Sequence, residues 1–284
     1  MGPGDSGSES MQTRRFLSRK ISYRPKKIFQ ASMSRVKVFF GLFGFAALVA
    51  CGGSGGGNSS APPSVAPPSV APPIGIAPQE RTFDFSQGNG GWLSGFADYS
   101  PSTAPVDVVA DIRALPTGFA GSGYYVAGTN RSADLFIYVK TKVSGLVAGS
   151  TYRIRSTVDF LTDVPTGCAG VGGSPGESVW IIVAASMIEP QTIFNGTEYR
   201  MNIERGNQSQ SGRDSAVVGN IANSVQNCGT RRWESKTLSI SSGSTLTVRA
   251  DERGEAWVLV GMDSGFESFS RIYIQRVFIR FEAP

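Results

Sequence analysis

The chain has 284 residues, with 27 Lys and Arg against 22 Asp and Glu, and no histidine. The missing imidazole excludes Ser-His-Asp and Cys-His nucleophilic catalysis, and zinc sites that rely on histidine. The formal charge of +5 invites a nucleic-acid reading, but nine basic residues precede Cys51, and from Cys51 onward 18 basic residues face 20 acidic ones. The basic character belongs to a leader, and no electrostatic argument for nucleic acid remains.

Residues 1–50 read as an export signal region. Arg35 and Lys37 precede an uncharged apolar run over residues 38–50. Thirteen residues fall short of the roughly 20 that a membrane-spanning helix needs. They suit the apolar region of a secretory signal behind a charged n-region. The run closes on Leu48-Val49-Ala50-Cys51, which resembles the lipobox of bacterial lipoprotein signals. That resemblance implies diacylglycerol on the Cys51 thiol, cleavage before Cys51 and acylation of the new amino group. Several acyl chains hold a bilayer stably where one holds it marginally, at about 0.8 kcal/mol per buried CH₂. Residues 1–32 make an unusually long n-region, so translation is expected to start at Met33, with Met11 as the alternative.

Residues 51–79 follow as a tether. Gly-Gly-Ser-Gly-Gly-Gly leads into three Ala-Pro-Pro units starting at Ala61, Ala66 and Ala71. A Gly/Ser coil and a polyproline-II-prone stretch are too poor in apolar side chains to form a core. Gly52, rather than Asp, after the lipidated cysteine is compatible with onward transport. The expected location is therefore the cell envelope, lipid-anchored at the outer membrane, with the bilayer as a partner.

Residues 80–284 read as one all-β domain, a jelly-roll-like β-sandwich after a disordered leader and linker. In Thr151 to Phe160, Tyr152, Ile154, Val158 and Phe160 alternate with charged or polar residues, the period of a half-buried strand. Val179 to Val183 is continuously apolar and reads as buried on both faces. Further strands are expected over Thr82–Phe85, Val106–Arg113, Leu135–Val143, Lys236–Ile240, Thr245–Ala250, Ala256–Gly261 and Arg271–Phe281. Gly, Ser, Asn and Pro punctuate the gaps. Cys168 and Cys228 are the remaining cysteines, and an exported setting makes a disulfide the default over two buried thiols.

Two motifs dissolve on inspection. Gly172-Gly173-Ser174-Pro175-Gly176 matches the G-x-S-x-G elbow, but a strand follows where the elbow needs a helix, and no histidine exists to serve it. Asp251, Glu252 and Glu255 suggest paired carboxylates for glycoside hydrolysis, yet Asp-Glu-Arg-Gly is good hairpin-turn chemistry between two expected strands.

Four polar loops are denser than a bland sandwich requires. Their candidate ligand-binding residues are Asn130, Asp134, Glu177, Asn202, Glu204, Asn207, Asp263 and Glu267. These side chains supply oxygens for Ca²⁺, which takes about six to eight, or hydrogen bonds for sugar hydroxyls. Ordinary loop chemistry accounts for them as well. Trp92, after a Gly-rich turn, and Trp233, after Arg231-Arg232, are the better candidates for an exposed sugar-stacking ring, although packing is the favoured reading for both. Trp180 and Trp257 sit in apolar strands and read as core.

The segments Asn130–Asp134, Cys168–Glu177, Met201–Gln208 and Asp263–Glu267, in this order, resemble a family of bacterial envelope lipoproteins. The resemblance spans most of residues 82–281. It implies no established activity and carries over no catalytic residue. More distantly, the strand pattern and the Gly265-Phe266-Glu267 loop before the last strand are similar to carbohydrate-binding jelly rolls, an architectural likeness that is weak evidence for function. The expected role is a lipid-anchored, non-enzymatic module binding glycan or cell-envelope material. The alternatives are a structural envelope protein docking another protein, and a carboxylate-dependent glycan hydrolase.

Overall fold

The computed structural model describes residues 77–284; the leader, Cys51 and the tether up to residue 76 lie outside the described residues. In chain order the first strands are β1 (Gln79–Asp84), β2 (Leu93–Ala97), β3 (Val106–Ala114), β4 (Ser122–Thr129), β5 (Leu135–Val143) and β6 (Thr151–Thr162). Then come β7 (Val179–Ser186), β8 (Thr192–Phe194), β9 (Tyr199–Met201), β10 (Gly206–Asn207), β11 (Gln210–Ser211) and β12 (Ser215–Asn220). The chain ends with β13 (Glu234–Ser239), β14 (Thr247–Arg249), β15 (Ala256–Ser264) and β16 (Phe269–Glu282).

Two antiparallel sheets make a jelly-roll-like β-sandwich. Sheet A runs β13-β6-β16-β4-β3, with β1 also on β16 and β14 also on β6; sheet B runs β12-β7-β15-β5-β2. The alternation of β6 turns Tyr152, Ile154, Val158 and Phe160 into the core between the sheets. In β16 the inward set is Ile272, Ile274, Val277, Ile279 and Phe281. That pattern slips by one residue after Ile274, where the register against β6 shifts, the mark of a bulge that keeps both halves of the strand facing inward.

Sheet B is buried on both faces, as the unbroken apolar run of β7 demands. Its inner residues, among them Val179, Ile181, Val183, Val258 and Val260, join the main core. Its outer residues Phe136, Tyr138, Ile182, Ala184 and Leu259 form a second core with Ile203. The cover for that outer face comes from the long connection between β7 and β12, which carries the β8–β9 and β10–β11 hairpins. Gly261 permits it: a side chain there would collide with the Phe136 ring.

Strands β2, β4 and β12 and the small hairpins were not expected from sequence. β4 carries the strand formers Tyr124, Tyr125 and Val126 between Gly123 and Gly128; Gly128 makes room for the Ile137 side chain, and pairing with β16 and β3 holds the segment extended. The Asp251–Gly254 turn forms as expected: Asp251 Oδ1 accepts the N–H groups of Arg253 and Glu255, and Gly254 adopts φ +71°.

Trp92 takes the packed reading favoured for it, which removes it as a candidate sugar-stacking ring, and the core reading of Trp257 is corrected. Trp92 is fully buried, with Phe83 and Phe85 edge-on to its ring at 5.1 and 5.5 Å. The Gly-rich turn before it, closed by Asn89, folds the ring back into the core instead of displaying it. Trp180 and Trp257, expected in the core, are both half-buried on the outer side of sheet B, where Trp180 packs against the second core.

Cys168 and Cys228 form a disulfide with Cα atoms 5.6 Å apart, joining the loop after β6 to the loop before β13. The Cys168→Ser, Cys228→Ser double variant is expected to lose about 4 kcal/mol of unfolding free energy for a separation of 60 residues. Denaturant unfolding of oxidised and variant chains measures this; equal midpoints would show that the crosslink adds nothing.

Candidate functional site

Three of the four polar loops meet at one end of sheet B, around Arg205. Its guanidinium is buried 4.3 Å above the Phe136 ring. Nη1 donates to Asp263 Oδ2 at 2.5 Å, Nε donates to Asp98 Oδ2 at 2.8 Å, and Nη2 also bonds Asp98. Arg200 lies beside it, donating to Asp134 Oδ2 at 2.7 Å and to Asp98 Oδ1 at 3.3 Å. Gln208 N–H donates to Asp263 Oδ2, its side-chain amide donates to Ala133 O, and Asn207 reaches Asp134 at 3.4 Å. Asn130 closes the adjoining turn by donating to Ser264 O and Phe266 O. Asp98, Ala133 and Gln208 all adopt left-handed φ, at 67°, 60° and 48°. Backbone strain on non-glycine residues persists where surrounding contacts over-determine it.

This cluster works as a clamp. Burial pushes the Asp263 carboxyl up to about 6, with Arg205 opposing the shift. Burial likewise raises Asp134. Of the carboxylates offered by the sequence for Ca²⁺, Asp134, Asp263 and Glu204 are taken up by Arg200, Arg205 and backbone N–H groups. Among the described residues no group of three or more His, Cys, Asp or Glu side chains is gathered as a metal-ligand set.

The remaining candidates lie apart. Asn202 braces the covering segment, donating to Glu189 O and accepting from Gln191 N–H. Glu204 caps the same segment through the N–H groups of Gly206 and Arg213. Glu177 accepts from Thr166 at 2.6 Å, from Gly167 N–H at 2.7 Å and from Ser174. Burial works against its ionisation, but these donors outweigh it and hold the carboxyl down at about 2. Glu267 is exposed, and its backbone N–H bonds Val171 O in the neighbouring loop. Trp233 is half-buried on the outer side of sheet A.

The covering segment stops short of the last row of sheet B, where Trp257 stands between Lys142 on β5 and Ser186 on β7. There Trp257 forms the floor of an open cleft of about 530 Å³. One wall is Met187 and Glu189 from the start of the covering segment, and the other is the Asp251–Glu255 turn. Lys140 lies 5.4 Å from the ring and donates to Glu189 at 2.8 Å; Lys142 donates to Glu255 at 2.8 Å. The Lys140 hydrogen bond lowers the Glu189 pKa, and the N–H groups of Glu255 and Arg253 lower that of Asp251. The cleft thus offers an aromatic ring beside carboxylate acceptors and ammonium donors, chemistry suited to stacking on and hydrogen-bonding a polyhydroxylated ring. The signal for Trp257 was present in the sequence: it shares its parity with Asp263 along β15, opposite to Val258 and Val260.

No family model and no curated protein sequence matches the chain. Among solved structures it is similar to one described by carbohydrate-binding modules of the β-sandwich superfamily, at 14% identity and TM-score 0.33, over 68% of this chain and 58% of that one. The chain therefore spans little more than half of that relative. A mannan-recognising carbohydrate-binding module aligns at 11% identity and TM-score 0.32, over 73% of this chain and 99% of its own. The cleaved adhesin domain of Lys-gingipain from Porphyromonas gingivalis aligns at 13% identity and TM-score 0.33, over 72% and 99%. Likenesses this distant carry no argument about ligand or site.

The clamp makes stability depend on pH. Asp263 titrates higher in the folded chain, near 6, than its ordinary value of 3.8, so the folded state binds the extra proton in that window. Stability from this group therefore rises as pH falls through 6. Glu177 acts oppositely, its contribution being lost as pH falls from 4.5 toward 2. The thermal midpoint of the full chain is expected to rise from pH 7 to pH 5, with a smaller rise in Asp263→Asn. An unchanged slope in that variant would remove Asp263 as the cause.

Proposed function

We infer that the chain is a lipid-anchored envelope protein whose β-sandwich binds glycan, without catalysis, at the Trp257 cleft. The observation that carries this reading is the half-buried Trp257 ring left open beside paired carboxylate and ammonium groups. Anchoring rests on Cys51 and its apolar leader, with outer-membrane display as the corresponding location. A hydrolase reading needs a carboxylic acid held neutral against the substrate. The two described carboxyls with raised pKa, Asp134 and Asp263, are spent on Arg200 and Arg205, away from the cleft.

A second reading, docking of another envelope protein, draws on the β8–β9 hairpin. Ile193 and Phe194 are exposed there, and Leu93 is exposed on the adjoining strand β2. Scattered apolar residues are ordinary, but Ile193 and Phe194 are two adjacent exposed apolar residues on one short hairpin.

The test is the thermal midpoint of the full chain across a panel of envelope and plant polysaccharides. A ligand that binds the folded state stabilises it by about 2.7 kcal/mol at a hundred times its dissociation constant. One polysaccharide is expected to raise the midpoint of the wild type, and Trp257→Ala is expected to weaken its binding by about 2 kcal/mol, roughly thirtyfold in Kd. No rise at saturation would discard the cleft reading in favour of the hairpin patch. Separately, Cys51→Ser is expected to abolish fatty-acyl labelling and membrane recovery; label retained in that variant would defeat the anchor assignment.

A further inference from the structure

The outer face of sheet A carries a second row of aromatic rings, on the side of the sandwich away from Trp257. Tyr125 of β4 and Tyr273 of β16 are cross-strand partners with ring centroids 4.8 Å apart. Trp233 enters from the loop before β13 and meets Tyr273 edge-on at 5.2 Å. Guanidinium groups cap the row at both ends: Arg113 lies 4.3 Å from the Tyr125 ring and Arg271 lies 4.9 Å from that of Trp233. Stacking of this kind pre-organises the planar fork of arginine and lowers the entropy lost on binding.

The charges beneath do not neutralise those above. Asp163 is 2% exposed and accepts from Arg271 Nη2 at 2.6 Å, while Arg231 Nη1 stands 3.5 Å from its other oxygen. Two guanidiniums thus share one buried carboxylate, and their side chains remain 36% and 51% exposed above it. Arg113 spends Nε and Nη2 on Asp111 and is 42% exposed. Among the described residues the row therefore holds three arginines against two aspartates, although the chain from Cys51 onward carries an acidic excess. Partly exposed guanidiniums beside a ring floor match a planar carboxylate attached to a sugar ring, since the fork bonds both oxygens and the ring stacks.

We propose that this row is a binding site for uronate-bearing polysaccharide, with Arg113, Arg231 and Arg271 engaging the carboxylates and Tyr273 and Trp233 the sugar face. It stands on a different sheet from the Trp257 cleft and does not depend on the reading of that cleft. The experiment is calorimetric titration of the full chain with a galacturonate oligosaccharide at low and high salt. Binding is expected in the wild type and is expected to weaken as salt screens the charges. Arg113→Gln is expected to weaken it about tenfold, and Arg113→Gln with Arg231→Gln to remove it. Both side chains are exposed, so the fold is retained, which the unchanged thermal midpoint verifies. Trp257→Ala is expected to bind the oligosaccharide as the wild type does, separating this site from the cleft. No binding by the wild type, wild-type affinity in the double variant, or equal competition by a neutral galactan would overturn the proposal. Tighter binding of a sulfated chain at the same arginines would overturn the carboxylate assignment.

Discussion

The burial of Arg205 between Asp98 and Asp263 is the contact on which the rest of the structure depends. A guanidinium under a protein surface is tolerable only when its donors are met, and here two carboxylates and the Phe136 ring meet them. The same contact draws the connection between β7 and β12 down over sheet B. That connection brings Ile203 and Met201 onto Phe136, Tyr138, Ile182 and Leu259, completing a second core outside the first. Removing Arg205 takes from the buried Asp263 its charged partner, a loss of about 3–5 kcal/mol. The clamp is thus both the reason the outer face of sheet B is closed and the reason it stays closed.

Closure decides where ligands can go. A sheet face that stood open along its whole length would offer a long groove, but the covering segment fills the rows from Leu259 to Asp263. It leaves the row of Trp257, where Met187 and the Asp251–Glu255 turn wall a short cleft. Sheet A has no such cover along most of its outer side, so its polar alternation reaches solvent. There the cross-strand pairing of Tyr125 with Tyr273 sets an aromatic row, and Asp163 fixes two arginines beside it. Two faces with different chemistry follow from one asymmetry in cover, with the disulfide joining loops between β6 and β13.

Much of the sheet framework was legible in the chain. β5, β6, β7, β15 and β16 carry alternation or unbroken apolar runs, and their positions follow from that pattern because strand periodicity reports burial directly. β4 and β12 escaped: both are glycine-containing, and pairing with their neighbours holds them extended. The polar loops were legible as a set, but not their purpose: Asp134 and Asp263 meet two arginines from one run of sequence, Asn207 reaches Asp134, and Asn130 closes the adjoining turn.

The sequence by itself determined an apolar run closing on the lipobox-like Leu48–Cys51, the Gly- and Pro-rich composition that follows it, the exclusion of histidine chemistry, the all-β class and the cysteine pair available for a disulfide. Each of these is read from local composition or periodicity. Only the tertiary structure decided that Trp92 is core, that Trp257 is open, and that Asp134 and Asp263 pair with Arg200 and Arg205. Those outcomes turn on which segment covers which face, a contact between residues about a hundred positions apart, as between Asp98 and Arg205. Pattern along the chain records how often a side chain is buried; it does not record what buries it.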